Sequence, residues 1–369
     1  MALHTNRAAV IDLLKTLIDI DSTSEHEQAI GAFLAAHLRG LGYTAERVPI
    51  APPPGSGSSA PARHNVYAYL GPRRAARLLV TAHMDTVPPH IPFSIDGDDG
   101  DLVRGRGACD DLGPMVAQIC AVEELRAEGA VGEGDVAFLF VVGEEKGGPG
   151  MLAANDMGLT WEAAIFAEPT ELKLGKGHKG NLVFEVVARG KACHSGYPHL
   201  GKSATLLLID ALKDLSAVEW PASDLLGPST LNIGKIEGGE GYNIVAPRAK
   251  ALCSIRVATG LAAIKSRVAA ALAPHHPDVD VDFVFEYPEN LLDWEFFLDG
   301  FDAAPMAYGT DIPRLRGGHR KVLYGPGSIH VAHGEDEHIR VSELMESIGG
   351  YKRLVTHFLT GAEKSSTRV

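Results

Sequence analysis

Cysteine is scarce. The 369 residues contain four, Cys109, Cys120, Cys193 and Cys253, and no two form a CxxC pair. That sparsity excludes a disulfide framework and fits a reducing cytoplasm, where such residues serve packing. Positive charge is also short. Lys and Arg number 34 against 47 Asp and Glu, for a formal net charge of −13. A nucleic-acid or anionic-membrane partner would need a strong local basic patch to overcome that repulsion. None is present; Arg73, Arg74 and Arg77 gather loosely and read as a solvated turn. No apolar run approaches the roughly 18 residues of a membrane span. The start, Met1-Ala-Leu-His-Thr-Asn-Arg, lacks the apolar core of a signal peptide. The expectation is a cytoplasmic protein with neither nucleic-acid nor membrane partners.

With 45% hydrophobic and 22% charged residues, the composition is that of a globular protein, and the length suggests two domains. Helical spacing runs through residues 6–20 (Val10, Leu13, Leu14, Leu17, Ile18) and 26–40 (Ile30, Leu34, Leu38), the second stopping at Gly40. Residues 51–62 are rich in Pro, Gly and Ser and read as a loop. Buried strands follow at 77–83, 136–142 and 163–167, with a helix at 112–128. Past Lys179 the strands alternate: 182–187, 229–236, 249–257 and 279–285, with helices at 202–215 and 260–273. The pattern predicts an α/β catalytic domain, residues 1–179 plus 288–369, interrupted by an α+β domain at 180–287.

Acidic and imidazole side chains cluster at the ends of the buried strands, where open α/β sheets bind ligands. His83 and Asp85 close the first. Asp110 and Asp111 sit in a glycine-rich turn before a helix, either as an N-terminal cap or as a metal-bridging carboxylate. Glu144 and Glu145 follow VAFLFVV directly; one can bind metal while its neighbour stays free as a general base. Glu168 ends AAIFA, and His333 follows a strand at 321–324 and a glycine-rich turn. Each is modest alone. Together they offer nitrogen and oxygen donors suited to Zn, Co or Mn. Two such ions, roughly 3.5–4 Å apart, can share one carboxylate, lower the pKa of water and polarise a carbonyl.

The segments HMDTVP (83–88), GRGACDDLG (105–113), GEEKGGPG (143–150), AEPT (167–170), GKACHSGYPHLGKSA (190–204) and GPGSIHVAHGEDE (325–337) occur in the order of a metallopeptidase family. It includes acetylornithine deacetylase, succinyl-diaminopimelate desuccinylase, aminoacylase and bacterial glutamate carboxypeptidases. The resemblance covers nearly the whole chain. It implies a metal-dependent exopeptidase-type catalytic domain with an inserted ferredoxin-like lid or dimerisation domain, and one or two divalent ions, Zn or Co. His83, Asp110 and Glu168 would bind one ion, and Asp110, Glu145 and His333 the other. Glu144 resembles the general base and Asp85 the residue that orients His83. His194 resembles a histidine that stabilises the oxyanion, acting across a homodimer in relatives. Asn243, Arg256, Gly327 and Ser328 match positions around the substrate.

Many relatives read Asp-x-Lys-Gly-Gly after the bridging Asp, where this chain has Asp110-Asp111-Leu112-Gly113-Pro114; the lost Lys removes a charge near the site. Relatives also often place a cis peptide there, expected here at Asp110–Asp111. The wording GACDDLGPM resembles the variant acting on N-acetylcitrulline. The expected substrate is therefore an N-acetyl amino acid of arginine biosynthesis, N-acetyl-L-citrulline before N-acetyl-L-ornithine, with a dipeptidase or desuccinylase as the alternative. Residues 51–62 and 286–300 are candidates to line the side-chain end of the pocket.

Overall fold

A computed structural model describes residues 6–51, 62–96, 100–295 and 300–361. In chain order its main elements are α1 (Arg7–Asp19), α2 (Gln28–Gly40), β1 (Thr44–Ile50), β2 (Arg63–Tyr69), β3 (Leu78–His83), α3 (Leu112–Ala127), β4 (Val136–Val141), β5 (Ala163–Phe166), β6 (Gly180–Arg189), α4 (Ala204–Ser216), β7 (Thr230–Gly238), β8 (Arg248–Val257), α5 (Leu261–Leu272), β9 (Val279–Tyr287), β10 (Arg320–Leu323) and α6 (Val341–Thr360). The chain divides into two units. One runs to Gly175 and resumes at Leu292–Ala304 and from Thr310; the other comprises Lys176–Leu291 and Pro305–Gly309. The short return at 305–309 carries no hydropathy signal of its own. It is held by the Lys179 N–H, which donates to the Met306 carbonyl at 3.1 Å.

The first unit is built on a six-stranded sheet in the order β1-β2-β4-β3-β5-β10. β4, β3, β5 and β10 are parallel, so their carboxyl ends share one edge. β3, β4 and β5 are buried at every position, which is why they read as continuous apolar runs rather than alternating ones. All five apolar positions expected on α1 are buried, and Asn6 caps it by accepting the Ala9 N–H at 3.0 Å. In α2 the residues at 30, 34 and 38 are buried as expected. The left-handed turn after it falls at Gly42, φ 96°, and not at Gly40. α3 is buried almost all round and packs with α1 and α6 in one core.

The second unit follows the order β-α-β-β-α-β with sheet order β7-β8-β6-β9, all antiparallel. This is a ferredoxin-like arrangement. Leu182, Phe184, Val186 and Ala188 of β6 meet Ala249, Ala251, Cys253 and Ile255 of β8 on the face that packs against α4 and α5. Lys250 and Glu185 pair on the other face at 2.9 Å. One covered and one open face explain the alternation in the sequence.

Arg73, Arg74 and Arg77 lie in an exposed to half-buried bend after β2, as the sequence suggested, and there Arg74 pairs with Glu46 and Arg77 with Glu162, both at 2.9 Å. Arg77 also donates to the carbonyls of Phe358 and Leu359 near the end of α6, where cations are favoured. Cys109, Cys120 and Cys253 are buried and unpaired, as packing residues should be, while Cys193 is partly exposed. Of the segments expected near the substrate side chain, 52–61 and 296–299 lie outside the described residues. Among the described residues no helix is long and apolar enough to cross a membrane.

Candidate metal centre

The carboxyl edge of the parallel strands gathers the acidic and imidazole side chains. His83 is the last residue of β3. Glu144 and Glu145 occupy a single turn just after β4, entered through Gly143 at φ 74°. A side chain at Gly143 would also collide with Arg63 Nη2 at 2.7 Å and the Pro149 ring at 2.8 Å, so glycine is needed twice over. Glu168 follows β5. Thr170 ties its turn to the one after β10, its hydroxyl donating to the Gly325 carbonyl and accepting the Gly325 N–H, both at 3.0 Å. Asp110 precedes α3, and the Asp110–Asp111 peptide is cis. Asp111 makes no capping bond to α3. It turns back to accept the His83 N–H at 3.3 Å.

Two donor triads result, His83–Asp110–Glu168 and Asp110–Glu145–His333, each with ligand atoms within 4.8 Å of one another. Asp110 belongs to both, through different oxygens. Its Oδ1 lies 3.0 Å from His83 Nε2, and its Oδ2 lies 3.2 Å from His333 Nε2. His333 Nε2 also faces Glu145 Oε1 at 2.8 Å. On the far side of His83, Nδ1–H donates to the Asp85 carbonyl at 2.9 Å, which reserves Nε2 for a ligand.

The electrostatics of the site fit a cation. Burial raises Glu168 well above the usual carboxylate range, and the Asp110 charge adds to it. Burial and then the Asp311 charge do the same to Glu144. Asp110 escapes: burial would raise it, but hydrogen bonds from His333 and His83 hold it below its ordinary value. Those bonds in turn keep protons on the imidazoles. His333 is pushed up to about 10 by its bonds to Asp110 and Glu145. Burial would lower His83, yet the hydrogen bond and charge of Asp110 leave it well above its ordinary value. A divalent ion bound between these nitrogens and carboxylates would take the place of protons. The donor set, imidazole and carboxylate without thiolate, suits a divalent transition-metal ion.

The carboxylate of Asp85 stands 3.7 Å from His83 Nδ1, and its shorter bonds lie elsewhere. It accepts the N–H of Glu144 at 2.9 Å, the N–H of Glu145 at 3.3 Å and the Ser24 hydroxyl at 2.8 Å. Asp85 therefore holds the turn that carries Glu144 and Glu145, while its backbone carbonyl orients His83. Gly327, φ 84°, lets the turn after β10 approach Cys109; a Cβ there would meet that of Cys109 at 2.7 Å. Its N–H donates to Glu343 at 2.8 Å, and the Ser328 hydroxyl donates to Glu171 at 2.8 Å.

His194, Asn243 and Arg256 belong to the second unit. His194 bridges to Ile244, and the Ser195 N–H donates to the Asn243 carbonyl at 3.0 Å, so 194 and 243 are neighbours. His194 Nδ1 accepts the Gly196 N–H at 3.0 Å, which leaves Nε2 as the protonated, donating nitrogen. Arg256 projects from β8 opposite Asn181.

Sequence reasoning missed Ser24, Thr310, Asp311 and Arg314. The last three follow no apolar strand and carry no strand-end signal. Thr310 and Asp311 line a small cavity with His83, Glu144 and Glu168. Arg314 Nη1 lies 3.2 Å from Asp311 and 3.7 Å from Glu144.

The profile of peptidase family M20/M25/M40 matches residues 79–357. The chain belongs to this family. A peptidase M20 domain-containing protein of Schizosaccharomyces pombe is 44% identical over 95% of this chain and 85% of its own length. A probable carboxypeptidase of Aspergillus oryzae is 38% identical over 95% of this chain and 87% of its own. Among solved structures, a tripeptidase from Staphylococcus aureus matches with a TM-score of 0.78 at 20% identity, covering 97% of this chain and 99% of that one. The fold is the mixed α/β fold of M20 metallopeptidases, and the chain is a metal-dependent hydrolase of that family.

Proposed function

We propose that this M20 hydrolase cleaves the amide bond of an N-acyl amino acid with a free α-carboxylate. The observation that carries the proposal is the sharing of Asp110 between two donor triads, with Glu144 beside them and outside both. His83, Asp110 and Glu168 would hold one divalent ion, and Asp110, Glu145 and His333 a second. When bound, the ions supply Lewis acidity toward water and toward the scissile carbonyl. Glu144, fixed through its N–H by Asp85, takes a proton from the attacking water on its carboxylate and returns it to the departing amine nitrogen. His194, protonated on Nε2, donates to the carbonyl oxygen as it gains charge. It does so from a partner chain in a homodimer formed through the inserted unit. Arg256 and Asn243 of the second unit hold the α-carboxylate, and Gly327 and Ser328 of the first unit are further substrate-binding positions. Lys179, on the same unit, is lowered by burial and then by the Arg256 charge, and its ammonium donates to the Pro228 carbonyl at 2.6 Å.

Within that class the reading is deacetylation of an arginine-biosynthetic intermediate, N-acetyl-L-citrulline before N-acetyl-L-ornithine. A second reading, a carboxypeptidase or dipeptidase acting on short peptides, is favoured by the name of the Aspergillus oryzae relative. Both reactions release an amino acid with a free α-carboxylate. Steady-state kinetics on N-acetylcitrulline, N-acetylornithine, N-succinyl-diaminopimelate and simple dipeptides separate them. The proposal expects kcat/KM for an acetylated amino acid to exceed that for dipeptides by more than about tenfold, or 1.36 kcal/mol. A flat profile over the four classes sinks the biosynthetic reading, and preference for dipeptides establishes the second.

A further inference from the structure

Glu337 and Arg106 form an ion pair at 2.6 Å with side-chain exposures of 0% and 2%. A buried pair is retained at little cost only where its remaining donors and acceptors are also satisfied. Here they are satisfied by two particular loops. Glu337 Oε1 accepts the N–H of Gly107 at 2.9 Å, of Asp110 at 3.3 Å and of Cys109 at 3.4 Å. The Gly105 N–H donates to the Glu337 carbonyl at 3.1 Å. Arg106 Nε donates to the Pro89 carbonyl at 3.2 Å, and Nη2 to the His333 carbonyl at 3.4 Å. One pair thus grips the loop that ends in the bridging Asp110 and the backbone of His333. His333 sits at φ 65°, a left-handed conformation that a side-chain-bearing residue keeps only where its surroundings hold it.

The geometry points to Glu337 and Arg106 as positioning residues for the ion held by Asp110, Glu145 and His333. They fix the separation of Asp110 from His333 and thereby set the affinity of that triad. The inference rests on the paired-ion reading of the site. Asp110 serves both triads, but Arg106 also holds His333, which serves only one, so the other ion should feel the loss of the pair less.

Chelator-stripped full-length protein, wild type and the variants Glu337→Gln and Arg106→Lys, is titrated with Zn²⁺ by calorimetry and with Co²⁺ by visible absorption. Gln keeps the length and one acceptor but loses the charge. Lys keeps the charge but not the rigid fork that reaches Glu337, Pro89 and His333 together. The expected result is two equivalents in the wild type. In both variants one equivalent weakens by about 10–100-fold, the range for losing a partner of a metal ligand. That equivalent should also change its Co²⁺ spectrum, while circular dichroism stays as in the wild type. Two equivalents at wild-type affinity with an unaltered Co²⁺ spectrum, in either folded variant, overturn the inference. If Glu337→Gln fails to fold, Arg106→Lys decides alone. Failure of both to fold counts against positioning and marks the pair as a stability element. A wild type that binds fewer than two ions refutes the paired-ion reading instead.

Discussion

Replacing Glu144 with Gln removes a proton-accepting oxygen and little else. Neither donor triad uses Glu144, so the variant should keep its ions. The backbone N–H would still donate to Asp85, and the amide would fill the same space near Arg314. Burial and then the Asp311 charge raise the proton affinity of Glu144. A positioned general base contributes roughly 10²–10⁴-fold, or about 2.7–5.4 kcal/mol at 1.36 kcal/mol per factor of ten. Because the proton moves only in the transition state, kcat and kcat/KM should fall together by that factor with KM unchanged. The assay is steady-state acetate release from N-acetylcitrulline, with elemental analysis of the same preparation. A variant that holds its ions and keeps more than about a tenth of the wild-type kcat refutes the base assignment.

Two further outcomes follow from the same geometry. Asp110 raises His83, and Asp110 and Glu145 raise His333, above the ordinary imidazole range, so binding Zn²⁺ at pH 7 should expel protons, and affinity should rise with pH as they loosen. Calorimetry in buffers of different ionisation enthalpy measures this; a buffer-independent binding enthalpy contradicts it. Mixing an inactive His194→Ala chain with an inactive Glu144→Gln chain should restore part of the activity if the histidine acts from the partner, and no recovery places the whole site within one chain.

The strand-end donors were legible because each follows an apolar run that only a buried parallel strand explains. His83, Glu145 and Glu168 are set by β3, β4 and β5, and sheet topology alone brings them to one edge. The alternation of β6 and β8 likewise betrayed a sheet covered on one face. What escaped depends on contacts distant in sequence. The spacing His83-x-Asp85 suggests that the carboxylate faces the ring, yet the backbone carbonyl takes that place and the carboxylate turns to residues about 60 positions away. Asp311 and Arg314 enter the site from a segment with no periodicity. Glu337 sits in a motif visible in the sequence, but its role depends on N–H groups more than 220 residues earlier. Hydropathy cannot report such pairings, because they leave no period in the chain.

The central claim is a paired-ion amide hydrolase organised by Asp110. Its most direct test is to strip the protein with a chelator and measure N-acetylcitrulline hydrolysis as Zn²⁺ or Co²⁺ is returned in measured equivalents. The account predicts no turnover in the stripped protein and activity that rises to a plateau by two ions per chain. Full turnover in protein shown by elemental analysis to hold no divalent ion would contradict it.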